Sequence, residues 1–227
     1  EEIQKTIERL LLRIEDRFPQ SGLSSVCRHL DEISKETNQT VRWISRPNYP
    51  LRLCVYSLIL LLGIILVISI QNFHVNLNDL TWIDVISMSE SIINEVIWIG
   101  AGIVFLVTLE TRRKRHRVIN AINRLRSIAH IIDAHQLTKD PAGISKINLS
   151  TAHSPSRELS DYNLCRYLDY CSEMLSLVSK VGFLYVQNFD DSIANNSVNE
   201  LENLADGLSR KIWQKIMIIQ LSMNNSK

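Results

Sequence analysis

Residues 53–70 read LCVYSLILLLGIILVISI, and the next charged side chain after them is Asp79. At a rise of about 1.5 Å per residue, such a run is long enough to cross a hydrocarbon core roughly 30 Å thick. A helix of that length inside a water-soluble protein would keep a polar stripe, and this one has none. The sequence therefore predicts a transmembrane helix over about 52–71. A second run, VIWIGAGIVFLVTL at 96–109, is shorter and reaches full length only with Ile92, Ile93, Asn94 and Glu95. Hydrocarbon offers no partner to an open backbone, so this segment is also expected to be helical, over about 91–110.

Orientation follows from the basic residues. Arg42, Arg46 and Arg52 precede the first run, and Arg112, Arg113, Lys114, Arg115 and Arg117 follow the second. Between Gln71 and Glu95 there is no lysine or arginine, while Asp79, Asp84, Glu90 and Glu95 are acidic. Both flanks are thus expected on the cytoplasmic side, with an extracytoplasmic loop over 72–90. Trp82 and Trp98 suit the outer interface as anchors, and Arg112 to Arg117 suit the inner one. The apolar residues around Trp82 suggest a short interfacial helix within the loop.

The rest of the chain is patterned for amphipathic helices. Ile3, Ile7, Leu10, Leu11, Ile14 and Phe18 recur at helical spacing, and Leu23, Val26, Leu30 and Ile33 follow after a Pro19–Gly22 turn. Val118, Ile122, Leu125, Ala129 and Ile132 make a stripe that ends before Pro141, where helix is disfavoured. Two further helices are expected, over about 158–188 and 192–223, after a serine-rich loop at 141–157. The domain reading is then 1–50 for N-terminal amphipathic helices, 51–111 for a transmembrane hairpin and 112–227 for a C-terminal bundle. The fold class is all-α: a two-span transmembrane hairpin with a cytoplasmic helical bundle built from both ends of the chain.

Composition narrows the function classes. The net charge of +1 gives no basic stripe for nucleic acid. No phosphate loop, GxSxG elbow or HExxH motif occurs, so no enzyme activity and no cofactor are expected. Cys27, Cys54, Cys165 and Cys171 lack metal or redox spacing and are expected to be reduced packing residues. The first apolar run begins near residue 51, so no cleavable signal peptide is expected.

Two clusters hold the candidate functional residues. Glu95, with Asn94, lies at the outer end of the second run, and an ionisable group there is a pore or ion-pathway candidate. Arg126, His130 and Asp133 share a polar strip beside the apolar stripe. A hydrogen-bonded network with Asp133 holding both His130 and Arg126 is the expected arrangement, with a metal or pH-sensing site as the alternative. His130 and Asp133 lie roughly 60° apart about the axis while His135 points away, which weakens the metal reading. On the helix after 158, Arg166, Asp169, Glu173 and Lys180 read as a solvated ion-pair ladder.

This layout of helix, two spans and further helices resembles small bacterial two-span effector proteins that assemble in membranes, in architecture and without shared residues. The resemblance implies a bacterial inner membrane, both termini cytoplasmic. Leu208, Ile212, Trp213, Ile216, Met217 and Ile219 give the final helix more apolar surface than one small bundle uses, which favours a homo-oligomer. The expected partners are the lipid bilayer, further copies of the chain and a cytoplasmic protein. The readings of function are an oligomeric channel or pore-forming effector, a membrane-anchored scaffold or accessory subunit, and a metal- or pH-responsive regulator.

Overall fold

In the computed structural model the described residues are 2–47, 49–72, 82–137, 139 and 159–225. They form six α-helices and no strand: α1 (Glu2–Arg17), α2 (Gly22–Ser45), α3 (Tyr49–Asn72), α4 (Trp82–Leu137), α5 (Asp161–Leu184) and α6 (Ser192–Asn225).

The caps follow the side chains available at each start. The Ser21 hydroxyl accepts a hydrogen bond from the Ser24 amide at 3.2 Å ahead of α2. Ser160 does the same for Asn163 at 3.4 Å, and the Asp191 carboxylate for Ala194 at 3.0 Å. Each satisfies an amide that the first helical turn leaves open. Pro50 falls in the first turn of α3, where its missing N–H costs nothing. In the α1–α2 turn the left-handed residue is Gln20, with φ 55°, and not Gly22. Gly22 is needed for space instead: a Cβ there would run into the imidazole ring of His135.

The chain divides into two compact units, Arg46–His116 and the combination of Glu1–Ser45 with Arg117–Lys227. In the second of these, α1, α2, the last part of α4, α5 and α6 share one core. Ile7, Leu10 and Ile14 of α1, Leu30 of α2, Ile122, Leu125 and Ile132 of α4, Leu168 and Met174 of α5, and Leu201 and Ile212 of α6 are all essentially inaccessible. Their spacing of three and four residues puts them on one face of each helix. The bundle is therefore assembled from both ends of the chain. Phe18 completes it edge-on against the rings of Tyr167 and Tyr170, with centroids 5.5 and 6.2 Å away.

The unit Arg46–His116 has the opposite character. Leu53 is 73% exposed and Leu60 67%, with Tyr56, Ile64 and Val67 also open on α3. On α4, Trp98 is 73% exposed, and Ile97, Val104 and Phe105 are open too. Val55 is the one buried hydrophobe among the described side chains of this unit. Among the described residues, no helix is long and apolar enough to cross a membrane. Leu62, Ile65, Leu66, Ser69 and Ile70, all within the unbroken apolar run, lie outside the described side chains, so those side chains do not carry the run whole.

The expected loop over 72–90 with its separate interfacial helix needs correction. Residues 73–81 lie outside the described ones, but Trp82 already belongs to α4, which continues without a break to Leu137. No proline occurs between these limits, and Gly100 and Gly102 do not interrupt the helix, so nothing locally separates an interfacial turn from the second apolar run. The serine-rich stretch at 141–157 lies outside the described residues.

Candidate functional site

Glu110 anchors the polar end of the hairpin unit. Its Oε2 accepts from Arg52 Nε of α3 at 3.1 Å, and its Oε1 pairs with Lys114 Nζ one turn along α4 at 2.9 Å. Lys114 also donates to the backbone carbonyl of Arg46 at 3.0 Å. The Glu110 and Lys114 side chains are only 14% and 12% exposed, so this pair is largely withdrawn from solvent, whereas Arg52 is about half exposed. The sequence reading treated Arg112 to Arg117 as one block of anchors, but the structure gives its members different tasks. Lys114 ties the chain ends of the hairpin, Arg112 and Arg113 are exposed, and Arg115 is half-buried. Arg117 belongs to the other unit, where its guanidinium lies 3.8 Å over the Trp43 ring. Glu110 was missed because an isolated glutamate among bases reads as spacing, and only the antiparallel return of the chain brings Arg52 to it.

Asn94 is exposed, and the Glu95 side chain lies outside the described ones. Trp82 and Trp98 are both exposed.

The polar strip on α4 does not close into the expected network. Arg126 turns to α6 and pairs with Glu200 at 2.9 Å, with a further contact to Asn123. Asp133 accepts from Gln136 Nε2 at 2.6 Å, and His130 is exposed. His135 is half-buried against Gly22 on α2. Positions that share a helix face compete for neighbours on other helices, and here the carboxylate of Glu200 takes the arginine that the sequence assigned to Asp133. Among the described residues no group of three or more His, Cys, Asp and Glu is placed to hold a metal ion. Gln136 is buried; its carbonyl accepts from Lys215 of α6 at 2.8 Å, and its Oε1 finds no donor among the described residues.

The ladder expected on α5 is also split. Arg166 and Asp169 pair at 2.9 Å, but Glu173 forms a two-pronged contact with Arg13 of α1, both distances 2.9 Å. Lys180 donates to Ser176 at 2.6 Å.

Around Arg13 lies a cluster that the sequence did not reveal. Arg13 and Arg166 approach the Tyr170 ring at 5.2 and 5.1 Å, and Arg17 lies 5.5 Å over Tyr162. Burial pushes the Tyr170 phenol up, but hydrogen bonds from Arg166 and Arg17 and the charges of Arg166 and Arg13 outweigh it, and the net shift is downward. The arginines come from two helices far apart in sequence, so no local pattern announces them. A second buried polar contact joins α2 to the end of α5. Thr37 donates to the Ile33 carbonyl at 2.7 Å, and its oxygen lies 2.8 Å from the Tyr185 hydroxyl. A threonine has one proton to give, so Tyr185 is the donor of the second bond.

All four cysteines are free. Burial pushes the Cys27 and Cys171 thiols up to about 12, which suppresses the thiolate that nucleophilic or metal-binding chemistry needs.

On α6, Trp213, Met217 and Leu221 are exposed while Ile212, Ile216 and Ile219 of the same helix are buried. Of the six apolar residues read from the sequence as surplus, Leu208, Ile212, Ile216 and Ile219 are core, and only Trp213 and Met217 lie on the open face. No known protein family, curated protein or solved structure matches the chain.

Proposed function

We propose that the chain is an integral membrane protein in which Arg46–His116 is a two-helix membrane anchor and the remaining unit is a water-facing bundle that engages a protein partner. The observation that carries this reading is the reversal of exposure between the units. One hides its aliphatic side chains in a shared core, whereas the other turns Leu53, Leu60, Ile97 and Trp98 outward and pairs Arg52 and Lys114 with Glu110 at one end. Large contiguous apolar surface is unfavourable in water and is explained when the surrounding medium is hydrocarbon. The uncharged run Leu53–Ile70 and the one-sided distribution of arginine and lysine support the same reading, with both chain ends on the cytoplasmic side. The accompanying proposal is a homo-oligomer formed through the hairpins. Gly100 and Gly102 face open space, so the backbone of another helix can approach closely there.

Expression of the full chain followed by alkaline extraction and vesicle flotation tests the anchor. The protein is expected to stay with the lipid and to require detergent for release. Recovery of folded protein in detergent-free buffer would overturn it. A channel would require a wet path past Glu95, and no described side chain favours that over an anchor.

A further inference from the structure

Beyond Leu109, α4 leaves its apolar stretch, and the structure sorts the bases that follow by what they face. Lys114 is held by Glu110 and by the Arg46 carbonyl, and Arg52 of α3 takes the other Glu110 oxygen. Arg112 and Arg113 are exposed, and among the described residues neither has a carboxylate partner. Carboxylates are scarce here in the sequence itself. Glu110 is the only Asp or Glu between Glu95 and Asp133, and there is none from Thr37 to Asn78. With Glu110 committed to Arg52 and Lys114, the two exposed arginines carry uncompensated charge.

Their place around the helix matters as much. At about 100° per residue, Trp98, Phe105 and Arg112 fall within roughly 40° of arc, whereas Glu110 and Lys114 lie on the far side. Trp98 and Phe105 are 73 and 55% exposed. Arg112 thus closes an outward apolar stripe, about 10 Å along the axis from Phe105, with Arg113 beside it.

In the anchor reading this stripe lies against acyl chains. What covers it is then a phospholipid, and the phosphate stands at the level where the hydrocarbon ends. A guanidinium engages phosphate oxygens through two parallel hydrogen bonds, and bases near the bilayer surface favour lipids of net negative charge. A zwitterionic headgroup brings its own cation and compensates the arginines less. A parallel second copy brings the same two arginines and a Glu110 already paired, so it does not neutralise them.

We propose that Arg112 and Arg113 form a headgroup site for an anionic phospholipid whose acyl chains lie along Phe105 and Trp98. The site rests on the anchor reading and names the lipid chemistry at one end of it.

The test uses the full chain in nanodiscs of phosphatidylcholine doped with spin-labelled lipid, with electron paramagnetic resonance reading the motionally restricted fraction. Labelled phosphatidylglycerol is expected to be favoured over labelled phosphatidylcholine by roughly fivefold. Arg112→Gln/Arg113→Gln should bring the two lipids to near parity, with circular dichroism unaltered because both side chains are exposed and unpaired. Arg210→Gln/Lys211→Gln removes the same charge from exposed positions on α6 and should leave the preference intact. The headgroup site is overturned if the parent shows no preference, as bases that only set orientation would behave, or if the Arg112→Gln/Arg113→Gln variant keeps it. Equal loss in the α6 variant, the mark of diffuse charge, also overturns it. So does displacement of the labelled lipid by glycerol phosphate in solution, or an altered oligomeric state of Arg112→Gln/Arg113→Gln in light scattering. Flotation with neutral phosphatidylcholine vesicles reads the anchor alone. A chain that floats but does not prefer phosphatidylglycerol loses only the headgroup site, and one that does not float loses the anchor.

Discussion

Leu168 and Leu60 are the same side chain in the same secondary structure with opposite surroundings. Leu168 on α5 is fully enclosed by the core that α1, α2, α4, α5 and α6 share, whereas Leu60 on α3 is 67% exposed. The polar groups are reversed to match. In the bundle, charges such as Arg13 and Glu173 pair across the outer surface, while in the unit Arg46–His116 the charges Arg52, Glu110 and Lys114 meet at one end of α3 and α4. A leucine is buried by its solvent preference, and the two units dispose of theirs in opposite ways. Water explains the bundle, and the proposed hydrocarbon environment explains the hairpin.

Substitutions at these paired positions can break or sharpen that contrast. The largest effect is expected for Leu168→Ala, which opens a cavity in the bundle and should cost about 2–5 kcal/mol of its stability in chemical denaturation. Next is Leu60→Arg. If α3 lies in hydrocarbon, membrane insertion should lose about 3–4 kcal/mol in a translocon assay. If this surface faces water, the same change would leave the protein folded and more soluble, and the contrast would fail. Glu110→Gln removes the carboxylate that pairs with Arg52 and Lys114, and a loss of about 1.5–3 kcal/mol is expected. A double-mutant cycle with Arg52→Gln, in detergent-solubilised protein, isolates the part owed to the Arg52 contact.

The smallest effects come from two glycines in the bundle. A Cβ on Gly182 of α5 would lie 2.7 Å from the Leu201 side chain, so Gly182→Ala should cost about 1–2 kcal/mol through overpacking. A Cβ on Gly207 of α6 meets nothing within 4 Å, and Gly207→Ala should stabilise by about 0.5–1 kcal/mol. Melting curves of the two variants should therefore move in opposite directions. A matching shift in both would mean that α5 and α6 are not packed as closely as described.

Much of the helical architecture was legible in the chain because helices are written locally. The spacing of Ile7, Leu10 and Ile14, the cap at Ser21 and the proline after α4 each act within a few residues. The separate interfacial helix around Trp82 failed as a local reading because apolar character alone does not end a helix, and no breaker follows Trp82. The candidate site was less legible. Arg126 had Asp133 seven residues away on its own helix, yet it pairs with Glu200 of α6, because a guanidinium takes whichever carboxylate the packing brings within reach.

The sequence by itself determined the helical character of most described segments, which faces of the bundle helices are apolar, and that one stretch from Leu53 to Ile70 carries no charge at all. These properties depend on backbone periodicity and on side-chain solubility, both carried by neighbouring residues. Tertiary structure alone decided that Glu110 would meet Arg52, that Glu173 would meet Arg13, and that Trp213, Met217 and Leu221 would be left outside while Ile212, Ile216 and Ile219 went in. Those outcomes depend on which helices pack side by side, and residues separated by dozens of positions have no local signal to announce that they will touch.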